Sequence, residues 1–288
     1  MPSNSLSEKE TISSVLGDDV IAIDMGPKTN IFLLKCHWEE VDKTTRTEVK
    51  IESPSAIVDE ISSNNKVYHT IETQKRGKYI LVDTGKTGDH FKLIQKLEET
   101  LHITPNDLSL IVITHAHFDH SGSCWYLQKH YPHVPIAVPY LEADLFRKAI
   151  SAPSKPTNLL ARFTKKVLGD RLGCVPFEPD LLFKGGERLD DYGVKGRVVQ
   201  MKGHTDGGLV VLLDNKKAAI VNDLMAGSLF SYGHPKFHNF IEDPIAILTN
   251  MKSIYDEGHQ VIMVTHGYAF TREPFGEWLN KELGILNK

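Results

Sequence analysis

Cysteine is scarce in this chain: three residues in 288, Cys36, Cys124 and Cys174, scattered and odd in number. No Cys-x-x-Cys pair occurs, which argues against a disulfide framework and against a thiolate zinc site. Apolar runs long enough to span a bilayer are missing as well. The opening residues, "MPSNSLSEKETISS", lack the basic start and apolar stretch of a secretory signal. Charge is close to balanced, with a formal net of -4, so the basic footprint of a nucleic-acid binder is absent. These absences predict a soluble cytoplasmic protein with neither membrane nor nucleic acid as partner. They leave its oligomeric state open.

What is present is apolar residues, 41% of the chain, in short runs that alternate with helical patterns. Residues 1–19 read as a flexible lead-in, and 20–288 as one domain with insertions near 39–65 and 150–182. "VIAIDMG", "NIFLLKCHW" and "KYILVDTG" read as strands. After them Asp89 can cap a helix whose apolar face would be Phe91, Ile94, Leu97 and Leu101. Asp107 to Thr114 reads as a buried strand, Ser121 to Tyr131 as a helix, "PIAVP" as a strand and Leu141 to Ile150 as a helix. From Phe183 the β character returns, followed by helices over Pro244 to Glu257 and at the C-terminus. Two halves rich in strands followed by helices predict sheets packed face to face with helices outside.

Titratable residues concentrate where the apolar runs stop. "THAHFDHSG" places His115, His117, Asp119 and His120 straight after "LSLIVIT". Four more runs end on a polar residue of the same two types: Asp83, His204, Asp223 and His266. Strand ends hold side chains rigidly while the loop leaves access, so chemistry gathers there. Neutral imidazoles and carboxylates suit zinc, iron or manganese. His115 and His117, two apart on extended chain, can face one metal; Asp119 and His120, past the strand end, can face a second. His204 and His266 can complete the two sites, and Asp223 can bridge them.

"HAHFDH", then "GHTDGG", "VND" and "THG", preceded by "VDTG", resembles the metallo-β-lactamase-fold hydrolase superfamily, in order and over most of the chain. The resemblance implies an α/β fold, an αββα sandwich of two mixed β-sheets flanked by helices. It implies two divalent metal ions, zinc first, with iron or manganese as alternatives. His115, His117 and His204 would hold one, Asp119, His120 and His266 the other, and Asp223 would bridge; Asp83 would orient ligands from behind. Asp119 and Asp223 would be the catalytic carboxylates, and a bridging hydroxide the nucleophile.

Asp223 points away from the β-lactamases themselves, and His117 from the oxygen-reducing members. Residues 267–288 are too few for the helical glutathione-binding extension of glyoxalase II. What remains resembles the lactonase/glyoxalase II-like branch in its compact, lactonase-like form, cleaving a lactone or thioester as small-molecule substrate. Phosphodiester hydrolysis, a single-iron oxygenase of the persulfide-oxidising kind, and a non-enzymatic binding member are the alternatives. Substrate contacts are expected from Phe118 and from the loop after Asp223, at Tyr232 or His234. His238 in the same loop can equally lie on the surface. The basic run Arg162, Lys165, Lys166 and Arg171 reads as a solvated helix face.

Overall fold

In the computed structural model residues 7–26, 29–41, 76–159, 161–163 and 175–286 are described. Six strands form the first sheet: β1 (Val20–Asp24), β2 (Asn30–Lys35), β3 (Tyr79–Val82), β4 (Leu108–Val112), β5 (Ile136–Pro139) and β6 (Leu181–Phe183), side by side in chain order. β1 to β3 pair antiparallel, and β3 to β6 pair parallel. The second sheet has the order β11-β10-β9-β8-β7, from β7 (Gly196–Gln200), β8 (Leu209–Leu213), β9 (Ala218–Ile220), β10 (Val261–Met263) and β11 (Phe270–Thr271). Only β9 and β10 are parallel there. Both sheets are therefore mixed.

Period-two alternation divides the core into three layers. Phe32, Leu34, Ile80, Val82, Leu110 and Val112 face the second sheet and meet Val198, Val211, Ile220 and Met263 from it. Their sequence neighbours Leu33, Leu81, Ile111 and Ile113 point the other way, onto Leu93, Leu97 and Leu127 of helices outside the first sheet. Val210, Leu212, Ala219 and Ile262 likewise face Ile247, Met251, Ile254 and Phe275 of helices outside the second. Strands apolar on both faces need a cover on both, which is why the runs read as continuous rather than alternating. The αββα arrangement expected from the sequence is the one found.

Seven α-helices lie wholly within the described residues: α1 (Glu8–Leu16), α2 (His90–Leu101), α3 (Phe118–Ser121), α4 (Cys124–His130), α5 (Ala143–Lys148), α6 (Pro244–Glu257) and α7 (Arg272–Leu286). Helix α1 stands within the lead-in expected to be flexible over residues 1–19, of which 1–6 lie outside the described residues. Ser7 and Glu10 close a capping box at its start, and Ile12 and Leu16 enter the inter-sheet core. Glu8 Oε1 accepts the backbone N–H of Thr271 at 2.7 Å, fixing α1 to β11. In α2 the buried face is Leu93 and Leu97, with Phe91 67% exposed, so the expected stripe was rotated. Asp89 makes no cap bond; its carboxylate accepts the N–H of Lys86 at 3.2 Å.

The helix expected over 121–131 is two pieces, α3 and α4, because the chain turns at Gly122. A Cβ there would lie 2.0 Å from the backbone nitrogen of Thr87, so only glycine lets this turn approach the loop after β3. Of the insertion near 150–182, the end is β6, the edge strand of the first sheet; Lys165, Lys166 and Arg171 lie outside the described residues, as does most of 39–65.

Candidate metal centre

β3, β4, β7, β9 and β10 all end at one edge of the sandwich, because β7 runs antiparallel to β8, β8 antiparallel to β9, and β9 parallel to β10. Backbone bonds stitch the sheets there: Leu209 N–H donates to Thr114 O at 2.8 Å and Asn30 N–H to Thr265 O at 2.8 Å. Two strand ends bend through left-handed backbone, Asp83 with φ 63° and Asn222 with φ 50°. Such conformations cost about 1–3 kcal/mol outside glycine and persist where the surroundings hold them. Asn222 is held by donating its side-chain N–H to Leu209 O at 3.1 Å, and the turn it makes swings Asp223 under the loop of His115 to His120.

The expected residues converge as ligand sets. His115, His117, His204 and Asp223 bring donor atoms within 4.8 Å of one another, and so do Asp119, His120 and His266. Asp223 joins them: its Oδ2 is 3.3 Å from His120 Nε2, 3.4 Å from His266 Nε2, 3.5 Å from His204 Nε2 and 3.9 Å from His115 Nε2. Asp119 lies 3.3 Å from His266 Nε2 and 3.9 Å from His120 Nε2.

Surrounding groups decide which ring nitrogen is free, since a carbonyl or carboxylate can only accept. His117 Nε2 donates to Ala152 O at 3.0 Å, and His204 Nδ1 donates to Phe240 O at 2.8 Å. Asp83 accepts from Thr114 N at 2.9 Å, from the Thr114 hydroxyl at 2.9 Å and from His120 Nδ1 at 2.8 Å. With its hydrogen given to Asp83, the Thr114 hydroxyl accepts from His115 Nδ1 at 3.1 Å. The nitrogens left over, His115 Nε2, His117 Nδ1 and His204 Nε2, face each other at 2.9 and 3.1 Å. Three lone pairs at that spacing repel unless a cation lies among them. The fit to a metal ion is direct, and the buried His120 Nε2 and Asp223 Oδ1, which lack a hydrogen-bond partner, point the same way.

Electrostatics agree with this donor set. Burial holds His115 and His204 well below the usual imidazole range, so both are neutral donors. Burial opposes charge on His266 and His120 too, yet Asp223 and Asp119 beside His266 push it up to about 10, and Asp83 and Asp223 raise His120 well above normal. Burial works against Asp223 as an anion, but His266 and His238 outweigh it and hold its carboxyl well below the carboxylate range. The buried carboxylates thus demand positive charge; bound metal would replace the protons that His120 and His266 otherwise take up.

Two functional features escaped the sequence. His238 is buried, its Nε2 3.6 Å from Asp223 Oδ2 and its ring stacked on His266 at 5.2 Å, whereas His234 is exposed. The sequence singled out His234 of this pair for substrate contact, and spacing alone did not show that His238 is the one lying against Asp223. Tyr232 stacks on Tyr268 at 4.3 Å, and Phe118 is half-buried between His117 and Asp119. The second feature is Glu142, a buried carboxylate accepting Ala116 N–H at 2.5 Å and Gly207 N–H at 3.0 Å. It ties the His115–His120 loop to the loop after His204. In sequence it reads as an ordinary acid at a helix start.

Comparison with known proteins accords with this geometry. The family model of the metallo-beta-lactamase superfamily matches residues 71–269. The probable metallo-hydrolase MJ0888 of Methanocaldococcus jannaschii is 29% identical over 156 residues, 54% of this chain and 65% of that protein, so the chain matches just under two thirds of its relative's length. The metallo-beta-lactamase family protein TTHA1429 of Thermus thermophilus superposes with a TM-score of 0.58 at 17% identity, over 94% of this chain and 82% of that one. TTHA1623, solved in a di-iron-bound form, superposes with a TM-score of 0.54 at 20% identity, over 89% of this chain and 96% of that one. With a family model covering more than half its length and the fold shared with these structures, the chain belongs to the metallo-beta-lactamase superfamily.

Proposed function

We propose that this chain is a metal-dependent hydrolase that cleaves a small ester-like substrate, a lactone or thioester, at a centre of two divalent ions. The observation that carries the reading is the convergence of three imidazole lone pairs at 2.9 and 3.1 Å beside a second cluster that shares Asp223. His115, His117 and His204 would hold one ion, Asp119, His120 and His266 the other, with Asp223 between. Bound there, such ions polarise a carbonyl and make water nucleophilic at neutral pH. TTHA1623, which shares the fold, is di-iron-bound, which supports a two-ion count and leaves iron beside zinc and manganese. The name of the relative MJ0888, a probable metallo-hydrolase, supports hydrolysis.

The chain's own groups then divide the work. Asp83 keeps the hydrogen on His120 Nδ1, and Thr114 keeps one on His115 Nδ1, so Nε2 of each stays a donor. Glu142 holds the two ligand loops in register. Asp119 keeps 14% of its side chain exposed against 3% for Asp223, so it would be the carboxylate through which the centre meets solvent.

The acyl preference rests on the walls. The segment leaving Asp223 carries Leu229 and Phe230 exposed, Phe230 at 92%, and Lys202 is turned onto Asp243 at 3.6 Å. Lys202 is thus paired, and Lys236, in the segment leaving Asp223, is exposed. An apolar rim suits an acyl group better than a phosphodiester, whose charge calls for cationic clamps. On metal-loaded enzyme, kcat/KM for lactones or thioesters should exceed that for bis-aryl phosphodiesters, and chelation should abolish both. A tenfold preference for phosphodiesters would sink the acyl reading and leave the centre standing.

A further inference from the structure

The segment from Ala226 to Ile241 returns to the centre and is pinned on the way. Ala226 and Lys236 exchange backbone hydrogen bonds at 2.9 Å. Thr157 N–H donates to Asn239 O at 2.9 Å, and Ile241 N–H to Lys155 O at 2.8 Å. His238 lies between these clamps, so its position is set before any ligand arrives.

Its ring faces the centre. It stacks on His266 at 5.2 Å and 25°, and meets His204 edge-on at 4.8 Å and 83°. The 3.6 Å from His238 Nε2 to Asp223 Oδ2 is too long for a hydrogen bond. It is, however, close to the spacing of two atoms that share a metal: bonds of about 2.1 Å in a tetrahedral site put neighbouring donors about 3.4 Å apart. The same Asp223 oxygen is 3.3 Å from His120, 3.4 Å from His266 and 3.5 Å from His204, all expected ligands. Asp223, His238 and His266 bring their donor atoms within 4.8 Å of one another, as the other two sets do.

The second nitrogen is addressed as well. His238 Nδ1 accepts the backbone N–H of Phe240 at 3.2 Å and lies 3.3 Å from Phe240 O. The same carbonyl already accepts from His204 Nδ1 at 2.8 Å. Coordination through Nε2 would move the ring hydrogen to Nδ1, where Phe240 O at 3.3 Å can accept it in place of the present bond from Phe240 N–H, and would turn the Nε2 lone pair toward Asp223 and His266. A backbone carbonyl on the far nitrogen is the usual partner of a ligating histidine.

We propose that His238 is a further metal ligand of this centre, donating Nε2 to the ion held by Asp223 and His266. The proposal rests on the metal-centre reading and is independent of the substrate class.

Cobalt(II) is the probe. Wild type, His238→Ala and His238→Gln are loaded, with His133→Ala, an exposed turn residue, as the control. Cobalt retention against a chelator and the visible ligand-field spectrum are read, with circular dichroism and melting reporting the fold. Both His238 variants should stay folded, lose at least about tenfold in affinity at one ion and change the spectrum; His133→Ala should match wild type. Zinc-loaded wild type labelled with ¹⁵N-histidine gives a reading that needs no variant: His238 Nε2 should carry no hydrogen and shift on zinc binding. Variants with wild-type retention and spectrum, or a hydrogen on Nε2 in the zinc form, would overturn the proposal. Wild type that takes up no cobalt would overturn the centre itself, whereas cobalt uptake without ester turnover would count only against the substrate class.

Discussion

Asp83 shows how much one residue organises here. Fully buried and in left-handed backbone, it accepts three hydrogen bonds, two from Thr114 and one from His120. Through Thr114 it also settles the hydrogen on His115, so one carboxylate orients donors of both proposed ions. Asp83→Asn replaces an acceptor with a donor facing His120 Nδ1. Metal retention, measured by chelator competition, should fall roughly 10–100-fold while the melting profile stays cooperative. Unchanged retention would reduce Asp83 to a turn residue. At this scale the sequence was informative where a strand ends: His115, His204, Asp223 and His266 follow apolar runs, so position and chemistry were read together. His238 follows no such run, and Glu142, although it comes just after β5, reads as the first acid of the next helix. A loop histidine is placed by backbone bonds to Lys155 and Thr157, and no local pattern encodes those.

At the scale of elements, long apolar runs were legible and short amphipathic segments were not. β2, β4, β8 and β10 are buried nearly throughout and were read directly. Helix α1 was missed because it offers few apolar residues, although Ser7 and Glu10 spell a capping box. What makes it part of the fold is tertiary: Ile12 and Leu16 fill the edge of the inter-sheet core. The error in α2 has the same origin, since Phe91 fits a helical stripe in sequence but finds His90 and Tyr126 at the surface instead of the sheet. Leu16→Ala should therefore destabilise the protein by about 2–5 kcal/mol, the range for truncating a buried leucine. Denaturant unfolding measures it; a change under about 0.5 kcal/mol, typical of surface positions, would restore the lead-in as a loose segment.

For the whole molecule, the centre exists only because two sheets pack together. The first supplies Asp83 and the His115–His120 loop; the second supplies His204, Asp223 and His266. Each of the two sets proposed for the ions draws on both sheets, and the bond from Leu209 to Thr114 ties them beside the site. This is why the fold was legible from motif order while the walls around the centre were not: ligands repeat a spacing, whereas Phe230, Tyr232 and His234 lie on connections whose course depends on long-range pairing. The central claim is that the shared carboxylate of Asp223 joins two ligand sets into one dinuclear site. Elemental analysis of the purified protein after saturation with divalent metal and removal of excess tests it most directly. Close to two ions per chain are expected, falling on Asp223→Ala. A single tightly held ion, with no second acquired on reconstitution, would contradict it.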